Sequence, residues 1–121
     1  MNPKGFVIVL EDDALIRDLL ERWLAEAGYL MVAHTPSHED PAHKAPCLVI
    51  ADVPSPQAAQ PLIESLRSVY AAPILILSAR FRRGLAGSAE AARRLGVKKV
   101  LPKPFTRKEL LSAVRESQGA A

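Results

Sequence analysis

The amino-acid sequence predicts an α/β protein: a doubly wound, five-stranded parallel sheet with strand order 2-1-3-4-5. Five short apolar runs alternate with segments of helical or irregular character along the chain. The run at residues 48–52, LVIAD, is apolar up to its final aspartate, which is typical of a strand buried on both faces. Strands that alternate with helices are joined by right-handed crossovers and therefore lie parallel, with the third strand central.

Length and composition indicate one globular domain over residues 1–121, with enough apolar side chains for a core. No apolar run is long enough to cross a bilayer, and the run Phe6–Leu10 is too short for a signal peptide. We therefore expect a cytoplasmic protein. The single cysteine, Cys47, excludes an internal disulfide and is interpreted as a core residue rather than a nucleophile.

The segment after the first strand predicts the clearest helix of the chain. Asp13 is placed to cap its N-terminus and Gly28 to follow its C-terminus. Arginines at positions 17, 22 and, in a later helix, 67 are interpreted as solvated helix faces. The apolar stripe of the first helix, at 3.6-residue spacing, comprises Leu15, Ile16, Leu19, Leu20, Trp23, Leu24 and Ala27.

The middle of the chain predicts an irregular second crossover. YLMVAH reads as the second strand, and TPSHEDPAHKAP follows where a helix is expected. Its three prolines predict a loop or a single turn, so the second helix of the fold is degraded or missing. Pro61 can then occupy the first position of the next helix. The buried stripe of that helix is predicted to be Leu62, Ile63, Leu66, Val69 and Tyr70.

The last third of the chain completes the alternation. PILIL, ending at Ser78, is the fourth strand, and SARFRRGLAGS is predicted to be a basic loop. An alanine-rich helix over Ser88–Leu95 ends at Gly96, and KKVLP is the fifth strand. Thr106 and Glu109 form a capping-box pattern for the last helix, whose apolar side includes Leu110, Leu111 and Val114.

Charge is distributed unevenly along the chain. Residues 1–77 contain 5 Lys/Arg and 10 Asp/Glu, whereas residues 78–121 contain 11 Lys/Arg and 3 Asp/Glu. One side of the domain is therefore suited to cations and another to anionic partners, or the basic third is simply a solvated surface.

Polar side chains follow four of the apolar runs and are expected to meet at the carboxyl edge of the sheet. They are Glu11, Asp12 and Asp13 after the first run, Asp52 after the third, Ser78 after the fourth and Lys103 after the fifth. Clustered carboxylates favour a hard cation such as Mg²⁺. A metal, a lysine and a hydroxyl suit a phosphoryl group, whose transfer spreads negative charge over three oxygens. Asp52 is then the candidate nucleophile for an aspartyl-phosphate, although alone it would be read as a turn residue.

Four motifs carry a resemblance to a known family. They are VIVLEDD with Arg17 following, LVIAD with a proline four residues on, ILILSA, and LPKPF. In this order, over nearly the whole chain, they resemble the receiver domain of bacterial two-component response regulators, as in chemotaxis regulators. The resemblance implies a flavodoxin-like fold and a phosphoryl acceptor rather than an enzyme, with at most self-phosphorylation and autodephosphorylation.

The resemblance also implies roles for single residues. Asp52 accepts the phosphoryl group, Ser78 and Lys103 contact its oxygens, and the Lys103–Pro104 bond is cis. Glu11 and Asp12 hold Mg²⁺, Asp12 directly and Glu11 through water, with Asp52 and the Pro54 backbone carbonyl. Asp13 is the ambiguous acid: the acidic pair of the family matches Glu11 and Asp12 better, and capping the helix accounts for Asp13 without the resemblance. A sensor histidine kinase or a hybrid kinase donates the group, and the output is a contact with a downstream protein. The sequence does not decide whether the chain forms a homodimer. Neither a membrane nor nucleic acid is expected as a partner.

The sequence departs from the family at four places. Val100 occupies the position, three residues before the lysine, where the family usually has an aromatic residue. In the family, the inward movement of that aromatic residue is coupled to the Ser/Thr hydroxyl. The segment between Gly28 and Asp52 is short and rich in proline, and the turn after Asp52 lacks the usual glycines. The loop after Ser78 is long and contains Arg80, Arg82 and Arg83.

Rival interpretations remain beside the phosphoryl acceptor. Ser78 could simply end a strand, and Lys103 could be a surface lysine. The histidines at 34, 38 and 43 lie in a proline-rich loop without cysteine partners, so a zinc site is disfavoured. Val100 and the altered loops favour a pseudo-receiver that no longer switches by phosphorylation. An aspartate-nucleophile phosphatase is disfavoured because Pro54 occupies the position of its general acid.

Overall fold

The sheet has the predicted architecture. A computed structural model describes residues 5–33, 46–53, 56–78 and 85–118. Its five strands are all parallel and lie in the order β2-β1-β3-β4-β5, which confirms the predicted order. The strands are β1 (Gly5–Leu10), β2 (Tyr29–Ala33), β3 (Leu48–Asp52), β4 (Ile74–Ser78) and β5 (Lys99–Pro102).

Four helices are present in the described ranges and cover both faces of the sheet. They are α1 (Ala14–Glu26), α2 (Pro56–Val69), α3 (Leu85–Leu95) and α4 (Arg107–Ser117). The segment predicted to be a loop in place of the second helix of the fold lies outside the described residues. No helix in the described part of the chain is long and apolar enough to cross a membrane.

The core is divided into two clusters by the sheet, and β3 contributes to both. Leu48 and Ile50 pack against α1 and α4, whereas Val49 and Ala51 pack against α2 and α3. All four are fully buried. Because successive strand residues point to opposite faces, an uninterrupted apolar run is what a strand covered on both sides requires.

Two helices begin earlier than predicted. α2 starts at Pro56 rather than Pro61, so Pro61 lies inside the helix. Pro56 has the fixed φ that suits the first turn, and burial of Ala59 and Ile63 offsets the backbone hydrogen bond that Pro61 cannot make. α3 starts at Leu85 rather than Ser88, because its apolar period extends back into a segment read as loop from its glycines.

Two apolar residues predicted to be buried are exposed. Leu15 is 69% exposed and Val69 is 60% exposed. Leu15 lies in the first turn of α1 and Val69 is the last residue of α2, so both lie at the ends of the packed faces. Leu20 and Leu24 of α1, and Ile63 and Leu66 of α2, are buried as predicted.

Helix caps were predictable from local sequence. The Asp13 carboxylate accepts hydrogen bonds from the backbone N–H groups of Leu15 and Ile16, at 2.9 and 3.2 Å. Gly28 follows α1 with φ of 96°, which a glycine adopts without strain. The reciprocal bonds of the capping box between Thr106 and Glu109 are both present.

Candidate phosphoryl-acceptor site

The carboxyl edge of the sheet gathers the predicted polar residues from four strands. Asp52 is the last residue of β3 and Ser78 the last of β4. Glu11 follows β1 directly, and Lys103 follows β5. Parallel pairing places these strand ends side by side, so residues distant in sequence become neighbours.

Lys103 joins the two carboxylates at the centre of this edge. Its Nζ lies 2.7 Å from Asp52 Oδ1 and 2.9 Å from Glu11 Oε1. Both distances are those of charge-assisted hydrogen bonds. The predicted meeting of Glu11, Asp52 and Lys103 is therefore present in the structure.

The three side chains differ in how far they are exposed. Asp52 retains 24% of its side-chain exposure, Lys103 14% and Glu11 only 2%. Asp52 is thus the carboxylate that an approaching reactant can reach, while Glu11 lies beneath the surface. This order of exposure suits a role for Asp52 as acceptor and for Glu11 as a fixed negative charge.

The amine of Lys103 is held in its protonated form. Burial lowers its pKa, but the hydrogen bonds with Asp52 and Glu11 and the charges of these carboxylates outweigh burial and raise the pKa above 10.5. At neutral pH the site therefore contains a fixed cation. Lys103 can pair with a phosphoryl oxygen but cannot serve as a proton acceptor there.

Glu11 is positioned by the start of α1. The backbone N–H of Asp13 donates to Glu11 Oε2 at 3.2 Å, and the Arg17 guanidinium donates to the backbone carbonyl of Glu11 at 3.2 Å. Arg17 had been interpreted as a solvated helix residue, and that interpretation was wrong. Its place six residues after Glu11, one helical turn beyond the cap at Asp13, lets the long side chain reach back over the N-terminus of α1.

Asp12, the residue after Glu11, is exposed, and Asp13 is occupied as the helix cap. Across the described ranges, no group of three or more histidine, cysteine, aspartate or glutamate side chains is arranged to hold a metal ion. Mg²⁺ commonly binds through one or two carboxylates, phosphate oxygens and water, so it does not require such a group. Both oxygens of Glu11 are already hydrogen-bonded, which suits contact through water, and the oxygen-only donor set of Asp12 and Asp52 fits a hard cation.

Ser78 is fully buried at the end of β4. Its backbone carbonyl accepts a hydrogen bond from the backbone N–H of Lys103 at 2.9 Å. This bond continues the pairing of β4 with β5 beyond Pro102 and fixes the position of Lys103 relative to the hydroxyl-bearing residue. Pro54, for which the resemblance implies a metal-binding carbonyl, lies outside the described residues, as do Arg80, Arg82 and Arg83 of the loop after Ser78.

An apolar groove lies directly beside Lys103. Its volume is about 360 Å³, and its walls are Ile16, Leu19, Trp23, Lys103, Pro104 and Phe105. The Trp23 and Phe105 rings meet edge to face, with centroids 6.3 Å apart. The Lys103–Pro104 bond is cis, as the resemblance implied. The sequence had placed Trp23 in the core, and the aromatic pair was not predicted because it joins residues of α1 and the β5–α4 loop.

Val100 lies in the interior rather than at the site. It is fully buried in the cluster on the α2 and α3 face of the sheet, together with Ile76 and Ala92. In the pairing of β4 with β5, Ile76 is opposite Val100 and Ser78 is opposite Pro102. The position that usually carries a movable aromatic residue is therefore a packed aliphatic one.

Comparisons with known proteins agree with this geometry. The sequence is 34% identical to the transcriptional regulatory protein PdtaR of Mycobacterium tuberculosis over 113 residues, which cover 89% of this chain and 54% of PdtaR. The chain spans about half the length of the curated relatives that it matches. The sequence matches no protein-family model.

Two solved structures resemble this chain in fold and align with it over nearly its whole length. A response regulator receiver protein from Burkholderia phymatum is 27% identical, with a TM-score of 0.67 and 98% coverage of each chain. The beryllofluoride-activated NtrC receiver domain is 26% identical, with a TM-score of 0.62 and coverage of 96% of this chain and 95% of that receiver-domain chain. With the four motifs and the gathered acids and lysine, these similarities show that the chain belongs to the response regulator receiver-domain family.

Proposed function

We propose that the chain is a phosphoryl-accepting receiver domain and that Asp52 is the acceptor. The observation that carries this proposal is the position of the Lys103 amine, 2.7 Å from Asp52 and 2.9 Å from Glu11. One carboxylate is reachable, the second is buried, and a cation lies between them. This arrangement can both present a nucleophilic oxygen and compensate the negative charge that arrives with a phosphoryl group.

The transfer joins a carboxylate oxygen of Asp52 to phosphorus while the bond between phosphorus and the leaving group of the donor breaks, and the electron pair leaves with that group. Lys103 keeps its proton and pairs with one phosphoryl oxygen. The Ser78 hydroxyl donates a hydrogen bond to another. These contacts strengthen as charge spreads over the oxygens in the transition state, which is how they accelerate the transfer.

Mg²⁺ is the cofactor that this donor set suits. Asp12 and Asp52 would hold it directly and Glu11 through water, with the backbone carbonyl of Pro54 as the family resemblance implies. When bound, the ion supplies positive charge against the phosphoryl oxygens. Without it, the described residues offer one lysine to compensate the carboxylates and the incoming phosphoryl group.

A sensor histidine kinase is the proposed phosphodonor, and the apolar groove supports a protein donor. Its aromatic and aliphatic walls can receive an apolar side chain next to Lys103. The output is a contact with a downstream protein in the cytoplasm, and a homodimer is compatible with it. The chain would have no other catalytic activity than its own phosphorylation and dephosphorylation.

Phosphorylation by acetyl phosphate in the presence of Mg²⁺ tests this proposal. Intact-mass measurement should show one added phosphoryl group on the wild-type chain and none on Asp52→Asn. Asp18→Asn, which removes an exposed carboxylate of α1, is the matched control and should be phosphorylated normally. Equal incorporation into the wild type and Asp52→Asn would contradict the assignment of the acceptor.

A pseudo-receiver is the second candidate, and the burial of Val100 favours it. A valine in a packed cluster has no ring to move towards Ser78, so the usual relay from acceptor to surface is missing. In this case the chain binds its partner in one conformation. Partner affinity that is equal with and without beryllofluoride and Mg²⁺ would support the pseudo-receiver, whereas a change of tenfold or more would exclude it.

A further inference from the structure

Basic residues gather at the amino edge of the sheet, where the strands begin, opposite Asp52. Arg67 lies in the last turn of α2, and Arg93 and Arg94 lie in the last turn of α3. Lys98 precedes β5, and Lys99 is its first residue. We call these five residues the amino-edge basic surface.

Contacts on the backbone hold this surface together. The Arg67 guanidinium donates to the backbone carbonyl of Gly96, which joins the end of α2 to the end of α3. The backbone N–H of Lys98 donates to the carbonyl of Ile74, the first residue of β4, at 3.2 Å. The arginines of α3 and the two lysines all lie within three residues of Gly96. The bond from Arg67 to Gly96 therefore brings Arg67 of α2 beside the segment that carries the other four cations.

Carboxylates offset only part of this charge. Arg94 pairs with Glu90 at 3.0 Å, and Lys99 lies 3.4 Å from Glu116 of α4. Arg93 and Lys98 are exposed, as is Arg67. Such exposed ion pairs are weak and exchange with solvent ions, so the surface keeps a positive potential.

The helix dipole accounts for only part of this pattern. Basic residues in a last helical turn are favoured by the partial negative charge of the carbonyl end. Arg67 and the two arginines of α3 fit this rule, as does Arg115 at the end of α4, whereas α1 has no basic residue in its last turn. Lys98 and Lys99 belong to no helix, so the dipole gives no reason for their charge.

An exposed apolar residue lies within the same edge. Val69, two residues after Arg67 at the end of α2, is 60% exposed. An aliphatic side chain beside cations suits a peptide that alternates acidic and apolar residues. A nucleic-acid backbone fits less well, because Glu64, Glu90 and Glu116 interrupt the positive surface. From charge and exposure together, we propose that the amino-edge basic surface docks an acidic, apolar-containing segment of a partner protein.

This docking does not depend on the phosphoryl-acceptor chemistry. The surface lies at the opposite end of the strands from Asp52, and none of its residues contacts Glu11, Asp52 or Lys103 through a recorded hydrogen bond or ion pair within the described part of the chain. A partner held at the amino edge would stay bound in both phosphorylation states. The carboxyl edge would remain open to the phosphodonor.

Fluorescence anisotropy with a labelled glutamate-rich peptide containing one leucine tests this proposal on the full chain. At low salt, Arg93→Glu combined with Lys98→Glu should weaken binding about tenfold to a hundredfold. Arg22→Glu combined with Lys108→Glu changes net charge equally at exposed positions outside the surface and should weaken binding less than about threefold. Circular dichroism confirms that both double variants are folded. Asp52→Asn should bind like the wild type, whatever the outcome of the phosphorylation experiment.

The apolar contact has its own test. Val69→Ala should weaken binding of the leucine-containing peptide about threefold and leave binding of the same peptide without leucine unchanged. Three results would overturn the proposal: equal weakening by the two double variants, no effect of Val69→Ala, or tighter binding of a duplex DNA of matched charge than of the peptide. The last result would assign the surface to nucleic acid.

Discussion

The two ends of strand β5 follow the receiver-domain pattern to different degrees. Beyond its carboxyl end, Lys103 reaches Asp52 and Glu11 at hydrogen-bonding distance, as an acceptor site requires. Within the strand, Val100 fills a closed aliphatic cluster where receivers usually carry an aromatic residue. The contacts of Lys103 with both carboxylates are therefore present, whereas the position that usually carries the aromatic residue is altered. If Asp52 accepts a phosphoryl group as proposed, accepting the group and transmitting its presence can be separate properties of this chain.

The difference has a physical origin in what each part must do. The acceptor site needs fixed charges, and short ion pairs between strand ends provide them without any movement. Transmission needs an element with two arrangements of similar free energy. A buried β-branched side chain has few rotamers and no empty space, so it favours a single arrangement.

Loss of the Lys103 charge should have the largest effect on the chemistry. Lys103→Met keeps much of the aliphatic stem but removes the cation that contacts both carboxylates. The initial rate of phosphorylation by acetyl phosphate should fall about a hundredfold, the usual scale for one preorganised charge in a transition state. Lys108→Met, at an exposed position of α4, is the control. A rate within threefold of the wild type would show that the site works without its cation.

Lys103→Met should also have a lower free energy of unfolding than the wild type. The difference between the two should depend on pH. Removing the amine leaves Glu11 buried without its partner, which should cost about 2 to 3 kcal/mol of the free energy of unfolding at neutral pH. The pKa of Lys103 is raised on folding, so its contribution is fully present below 10.5 and is lost as pH rises through the higher folded value.

Urea unfolding followed by the single tryptophan, Trp23, measures both effects. Burial also raises the pKa values of Cys47 and Tyr70, so both of these groups, like Lys103, lower the stability of the wild type at alkaline pH. The Lys103 contribution is the difference between wild type and Lys103→Met. That difference should shrink above pH 10.5, and a difference independent of pH would contradict the ion-pair account.

An aromatic residue at position 100 tests the second half of the comparison, the packed cluster around Val100. Val100→Tyr inserts a ring into a cluster without space and should lower the free energy of unfolding by about 1 to 3 kcal/mol. Phosphorylation should proceed within about twofold of the wild-type rate, since Val100 does not touch the acceptor residues. Unchanged stability in urea unfolding would mean that the ring finds room and would contradict the account of a closed cluster around Val100.

A change in the cap of α4 should have the smallest effect. Thr106→Ala removes the side-chain acceptor for the backbone N–H of Glu109 and should cost about 1 kcal/mol of stability. The rate of phosphorylation should not change, because the capping box lies beyond the groove that borders the site. A rate reduced severalfold would show that the position of α4 controls Lys103.

Much of the fold was predictable because its signals are local. Apolar runs located all five strands, and cap residues located the ends of α1 and the start of α4. The starts of α2 and α3 were misplaced because proline and glycine were read as interruptions. In α2, burial of Ala59 and Ile63 keeps the helix continuous past Pro61. Exposure of Leu15 and Val69 was missed because periodicity does not show where a packed face ends.

The site was predictable as a set of residues but not as a network of contacts. Parallel topology alone brings Glu11, Asp52 and Lys103 together, so the sequence order of the motifs sufficed. The contacts of Arg17 with the Glu11 carbonyl and of Arg67 with the Gly96 carbonyl were missed. Both depend on how a long side chain crosses between elements, and no pattern in the sequence specifies that path.

Chemical trapping of the phosphorylated residue tests the central claim most directly. Reduction with borohydride converts an aspartyl-phosphate to homoserine, whose position peptide mass spectrometry identifies. After treatment with acetyl phosphate and Mg²⁺, the account predicts homoserine at position 52 and unmodified Asp12 and Asp13. Homoserine at either of those positions, or at none of the three, would contradict it.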